Sequence, residues 1–165
     1  LGAYGQLFGE RKYTDAAKEM AAKWVKDARR ADGTGYRLTF DGADTWSLKY
    51  NIVWDRLLGL GLFDESVGRE EQQVYLQKMR RYGVPLDSRA DYTKIDWLAW
   101  TTVMTDDRDY RDKVYRSTYR MICESVDRIP VTDWYDVLDG RCVGFRARSV
   151  LGGFYINLLE ENFRG

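Results

Sequence analysis

The chain has 165 residues, with 26 Lys plus Arg balanced by 26 Asp plus Glu, and 15% of its residues are aromatic. A formal charge of zero gives no electrostatic reason to bind nucleic acid or an anionic membrane surface, and no apolar run reaches the ~18 residues of a membrane-spanning helix. Histidine is absent, which excludes Ser-His, Cys-His and His-ligated metal chemistry within the chain and leaves carboxylates, Tyr, Lys, Arg, Ser, Thr and two Cys as chemical actors.

Length alone predicts one domain with a sizeable core. The opening LGAYGQLFGE reads as the last turns of a helix already under way, so the expectation is a single all-helical domain over residues 1–165, excised from a larger protein. Residues 15–31 place Ala16, Ala17, Met20, Ala21, Trp24, Val25 and Ala28 on one face, with Thr14 as N-cap, and predict an amphipathic helix. Segment 50–59 is apolar around most of its circumference, as in a helix packed on several sides. Segment 66–82 returns to the amphipathic pattern, with Val74, Met79 and Tyr82 set against dense charge. The same contrast repeats in 95–104, which is apolar all round, and in 106–126, where Tyr110, Val114, Met121 and Ile122 form the apolar stripe. Segment 150–159 is again apolar. Its Gly152 and Gly153 cost about 1 kcal/mol each relative to Ala, and close helix packing is the simplest compensation.

Exposed and buried helices therefore alternate three times. Connectors 31–47, 82–94 and 127–149 are long, whereas 59–66 and the one near 105 are short, so in an antiparallel stack all long connectors emerge at one end. Asp41, Asp87 and Asp133 close similar short motifs (LTFD, VPLD, VTD) at 46-residue intervals. That period signals helical hairpins repeating as units. The predicted fold class is all-α: repeated helical hairpins forming part of an (α/α)6 toroid, with the long loops on one end, in preference to an open solenoid.

The long connectors also collect the candidate chemistry. The first carries Asp41, Asp44 and Trp46; the second carries Asp87, Arg89 and Asp91 and leads into Asp96 and Trp97; the third carries Asp133, Trp134, Asp136, Arg146 and Arg148. Convergence on one mouth makes Asp87, Asp96 and Asp133 the candidate catalytic acids. Trp46, Arg89, Trp97, Trp134, Asp136, Arg146 and Arg148 become candidate binders of a small polar substrate, because carboxylates and arginines beside aromatic faces suit such a ligand. Structural roles compete with these. Asp96 three residues after Thr93 fits a capping box, Trp97 and Trp100 suit a core, and Arg146 and Arg148 suit ion pairs with Asp133 or Asp136. Cys123 lies in an apolar helical pattern and Cys142 in a glycine-flanked loop, without metal-type spacing. Asp133, Asp136 and Asp139 lack the spacing of a calcium loop, so neither metal nor other cofactor is expected.

The runs YRLTFDGADTWSLKYNIVWDRLLGLGLF, YGVPLDSRADYTKIDWLAW and VTDWYDVLDGRCVGFRARSVLGGFYINLLEE closely resemble the C-terminal region of the glutaminase A family, large secreted or envelope proteins of fungi and bacteria. The resemblance covers nearly the whole chain. It implies a toroid like that of six-hairpin glycosidases, preceded in the full protein by β-rich domains that would be its partners. It also implies a secreted or periplasmic location and hydrolysis of the side-chain amide of L-glutamine to glutamate and ammonia. It carries over no catalytic residue. The site chemistry keeps a second class open, a glycoside hydrolase-like or carbohydrate-binding domain, in which two carboxyls would flank the glycosidic bond. In either class half a ring encloses half a pocket, so the chain alone is expected to be inactive.

Overall fold

The computed structural model describes residues 1–164, with side chains through residue 162. Helix α1 (Gly2–Phe8) turns back through Gly9, in the left-handed region at φ 68°, into α2 (Arg11–Asp27). The two helices cross closely at Gly5, where a Cβ would lie 2.8 Å from the Thr14 backbone nitrogen. This reversal starts α2 earlier than the sequence pattern suggested. Glu10 is its N-cap, and Thr14 lies inside the first turns, its hydroxyl donating to the Arg11 carbonyl. Ala17, Ala21 and Ala28 are buried as the apolar stripe requires, whereas Met20 is exposed.

The next hairpins follow the alternation. Outer helices α4 (Glu65–Lys78) and α6 (Arg108–Glu124) are long and capped by Asp64 and Asp107, whose carboxylates accept backbone N–H groups of the first turn. Inner helices α3 (Val53–Leu57), α5 (Ile95–Trp100) and α7 (Ile156–Arg164) are short, and each is joined to a 3-10 turn: Tyr50–Ile52, Thr101–Val103 and Ser149–Tyr155 respectively. The hydroxyls of Thr101 and Thr102 donate to the carbonyls of Leu98 and Ala99, and such back-bonding tightens a helix end. Helix α5 is central, touching the 3-10 turns that precede α3 and α7, and also α6. Val53, Leu57, Ala99, Val103 and Ile156 join the inner helices into one apolar cluster, and Tyr75, Val84, Leu98, Tyr110 and Val114 join α5 to the outer layer.

All three long connectors meet at one end. The first pairs with the second through Leu48 N–H to the Leu86 carbonyl (2.8 Å) and Ser88 N–H to the Trp46 carbonyl (3.0 Å). The second pairs with the third as a short antiparallel ribbon not foreseen in the sequence, β1 (Tyr92–Lys94) against β2 (Trp134–Asp136), with Thr93 opposite Tyr135. The ribbon follows from burial: Thr93 and Tyr135 have no measurable exposure, and backbone donors and acceptors at that depth need partners.

The two glycines before α7 differ sharply in surroundings. A Cβ on Gly153 would lie 2.9 Å from both Asp96 Cβ and Trp100 Nε1, whereas one on Gly152 would meet nothing within 4 Å. Gly153→Ala is therefore expected to lower stability by about 1–3 kcal/mol through overpacking. Gly152→Ala should be neutral or stabilising by up to about 1 kcal/mol, and thermal melts of the two variants check the contrast.

Candidate active site beneath the paired connectors

The pairing of the first two connectors leaves a cavity of about 500 Å³ whose lining includes Lys49, Tyr50, Asn51, Asp87, Arg89 and Trp97, with Trp24 and Phe63 at its apolar side. Its volume lies within the range of small-molecule sites. One wall is a stacked pair, Tyr50 on Trp97, with centroids 4.4 Å apart and planes inclined by 7°. Asp87 is 4% exposed and accepts three bonds from Arg89: backbone N–H and Nε at 2.9 Å, and Nη2 at 2.7 Å. Burial alone would raise the Asp87 pKa, but the Arg89 fork outweighs it and holds the carboxyl below its ordinary value.

Lys49 enters the cavity from the start of the 3-10 turn. Its Nζ donates to Ser47 Oγ (2.7 Å) and to the carbonyls of Ser47 (3.2 Å) and Tyr36 (3.3 Å). Its backbone N–H donates to the Tyr75 hydroxyl (2.7 Å), which donates in turn to buried Glu71 (2.6 Å). Burial pulls the Lys49 pKa down, against the opposing fields of Glu71 and Asp87.

Behind the aromatic wall lies a second acidic cluster. Asp133 is fully buried and accepts from Arg148, through Nε at 3.1 Å and through Nη2, and from Lys94 at 3.2 Å. The Lys94 ammonium also faces the rings of Trp134 (4.5 Å) and Phe145 (4.7 Å), and Arg148 covers Phe145 at 3.9 Å. Burial pushes the Asp133 pKa up, yet these cations bring it to a net value below normal.

Asp96, in the first turn of α5, is 5% exposed, and its Oδ1 has no hydrogen-bond partner among the described residues. Burial raises its pKa, nearby Asp133 adds to the rise, and the N–H groups of Asp96 and Trp97 offset only part of it. The Thr93 hydroxyl is likewise unbonded, so no capping box forms. Tyr50 lies within the fields of both Asp96 and Asp87, which, after burial, raise its own pKa.

The remaining sequence candidates fall elsewhere. Trp46 is buried in the core that joins α4, α5 and α6. Trp134 packs against Tyr92 and Phe145. Asp136 Oδ1 accepts the N–H groups of Leu138 and Asp139 and stabilises its own turn. Arg146, Asp41 and Asp44 are exposed. Cys123 is exposed, and Cys142 is partly buried with its thiol directed at the Gly144 carbonyl. Sequence reasoning missed Lys49, Tyr50 and the Glu71–Tyr75 pair. The i,i+4 spacing of Glu71 and Tyr75 was the available signal, but it is indistinguishable from a solvated helix face until a partner covers it. Among the described residues no group of three or more acidic or thiol side chains is arranged to hold a metal ion, and no helix is long and apolar enough to cross a membrane.

A family model described as the glutaminase A six helical-hairpin domain matches residues 1–158. Glutaminase A of Aspergillus oryzae is 32% identical over 152 residues, covering 89% of this chain and 22% of that protein. A probable glutaminase of Arthroderma benhamiae is 27% identical over 169 residues, covering 84% of this chain and 20% of its own. The chain thus spans about a fifth of the length of these curated relatives. No solved structure matches.

The two buried acids should respond oppositely to neutralisation. The folded pKa of Asp133 lies below the unfolded value of about 3.9, so its contribution is present above that value and is lost as pH falls through the folded pKa. The folded pKa of Asp96 lies above it, so ionisation costs stability at neutral pH and that cost vanishes as pH falls through the raised value. At pH 7, Asp133→Asn is expected to destabilise by about 1–3 kcal/mol, leaving Lys94 and Arg148 without their counter-charge. Asp96→Asn should match or exceed the wild type. Urea denaturation at pH 7, pH 4 and about pH 2 tests both signs: the Asp133 variant should keep its disadvantage at pH 4 and lose it only as pH falls through the depressed folded pKa, whereas the Asp96 difference should already shrink between pH 7 and pH 4.

Proposed function

This chain belongs to the glutaminase A six helical-hairpin family, and from that membership we propose that it forms part of a hydrolase cleaving the side-chain amide of L-glutamine, with Asp96 as the proton-handling group. The supporting observation is the difference among the three candidate acids. Asp87 is held by Arg89 and Asp133 by Arg148 and Lys94, whereas Asp96 is buried, forms no ion pair among the described residues and keeps a free carboxylate oxygen. A carboxylate paired to a cation is a weak base; one whose charge is disfavoured by burial takes a proton more readily.

In this reading ionised Asp96 removes a proton from water as the water oxygen bonds to the amide carbon. The carbonyl electron pair moves onto oxygen, forming a tetrahedral oxyanion. Arg148 engages Asp133 through Nε and Nη2, which leaves Nη1 as a donor for that charge. Collapse of the oxyanion breaks the C–N bond while protonated Asp96 returns its proton to the departing nitrogen, releasing ammonia and glutamate. Asp96 is not among the residues lining the 500 Å³ cavity; it directly precedes Trp97, whose ring forms one wall with Tyr50. Asp87 and Asp133 have supporting roles, the former shaping the cavity and the latter keeping Asp96 basic. A secreted or periplasmic parent accompanies this reading and rests on resemblance alone.

In the full-length protein, Asp96→Asn is expected to lower kcat for ammonia release from glutamine by about 10²-fold or more with thermal stability retained. An Asp96→Asn enzyme with unchanged turnover would dismiss Asp96 as the base. Failure of the wild type to release ammonia from glutamine would remove the hydrolase reading itself.

A further inference from the structure

Three charged residues line the cavity: Lys49, Arg89 and Asp87. They are unequally committed. Arg89 directs Nε and Nη2 at Asp87, a geometry that neutralises both partners. Lys49 has no carboxylate within 4 Å among the described residues; its ammonium contacts only the Ser47 hydroxyl and two carbonyl oxygens, the latter at 3.2 and 3.3 Å. Neutral dipoles orient a cation without cancelling its charge. Lys49, within the lining, therefore carries an ammonium that has no carboxylate in contact with it among the described residues.

The position of that ammonium is built from behind. Glu71, 1% exposed, accepts the Tyr36 N–H (2.8 Å) and the Tyr75 hydroxyl (2.6 Å). Tyr36 contributes its carbonyl to Lys49 Nζ, and Tyr75 receives the Lys49 N–H. One carboxylate thus fixes both chain segments that hold the lysine. The first connector passes so close to it that a Cβ on Gly35, at φ +71°, would lie 2.6 Å from Glu71 Oε1. Glycine at this position is a requirement of the Glu71 anchor.

We propose that Lys49 is the specificity-determining residue of the cavity, recognising a free carboxylate on the ligand, with Glu71 and Tyr75 as its positioning residues. This deepens the hydrolase reading and rests on it for the identity of the reaction, though not for the binding. The flat Tyr50–Trp97 wall receives the ligand's short methylene stem, and Lys49 sets which end carries charge. Burial already disfavours the ammonium, so an anion seated against it relieves that cost and gains more than it would at a solvated lysine. A neutral sugar would draw nothing from the arrangement.

Calorimetric titration with glutarate and with its neutral diamide tests the proposal without any variant. The wild-type chain is expected to bind glutarate at least about tenfold more tightly. Lys49→Met should remove that preference by weakening glutarate about 10- to 100-fold while leaving the diamide unchanged, and Lys49→Arg should preserve it. In the ammonia assay, Lys49→Met should raise KM for glutamine with kcat little changed. Equal binding of the two probes by the wild type, binding of neither, or a preference that survives Lys49→Met in a folded protein would overturn the assignment. A full-length wild type that prefers glutarate yet releases no ammonia would sink the hydrolase reading and leave the anion site standing.

Discussion

Long connectors in a helical protein carry backbone N–H and carbonyl groups that no helix satisfies, and burying them demands partners. Here the partners are the other connectors. The Ile95 N–H bonds the Asp133 carbonyl (2.9 Å), and the Val137 N–H bonds the Asp91 carbonyl (2.8 Å). Since β1 runs directly into α5, the first of these bonds sets where α5 begins. It thereby places Asp96 two residues beyond the ribbon, with Asp133 nearby. The pairing of Leu48 with Leu86 likewise brings Lys49 and Asp87 to one cavity. Chemistry from three distant parts of the chain is assembled by backbone bonds, and the side chains then sort themselves by charge.

That sorting follows from burial. Each carboxylate beneath the connectors loses water, and each would shift toward its neutral form if left alone. Asp87 and Asp133 escape through cations contributed by their own connectors, Arg89 two residues on and Arg148 fifteen residues on. Lys94 adds a second cation to Asp133 from the ribbon. Asp96 lies by Gly153 instead, and the Trp100 indole N–H, also without a partner among the described residues, is not bonded to it. Satisfied acids hold the fold, and the unsatisfied one retains a reason to exchange protons.

Much of the helical framework was legible because helix periodicity is local. The outer helices announce themselves through apolar stripes and the inner ones through all-round hydrophobicity; α6 lies within the marked segment 106–126, and α4 overlaps 66–82 but begins one residue earlier and ends at Lys78. The inner segments were legible as buried but not as mixed 3-10 and α structure, since the Thr101 and Thr102 back-bonds and the Gly153 contact depend on rotamers and neighbours. Thr14 looked like a cap because the reversal at Gly9 leaves no local signature that outweighs it. Glu71 and Lys49 looked like surface charges for a related reason: only the fold reveals that the first connector covers one and that a cavity receives the other. A charged residue's role is decided by what packs over it, and that information is long-range.

The 46-residue period carries a further lesson about where function departs from repetition. Asp41 precedes the 3-10 turn at Tyr50 by nine residues, and Asp87 precedes α5 at Ile95 by eight, but Asp133 precedes the turn at Ser149 by sixteen. The added length in the third hairpin is the stretch that returns Phe145 and Arg148 over Lys94 and Asp133. It includes Ala147 at φ 46°, a left-handed conformation that disfavours any side chain and is held by the Ala147 N–H bond to the Val131 carbonyl (3.0 Å). Repetition therefore supplies equivalent scaffolds, and the insertion supplies Arg148, which joins Lys94 of the ribbon on Asp133. Without that insertion Asp133 would keep Lys94 alone, and its charge would bear more heavily on Asp96 at the start of α5. The irregular hairpin is what separates a doubly paired acid from one that has no ion pair among the described residues.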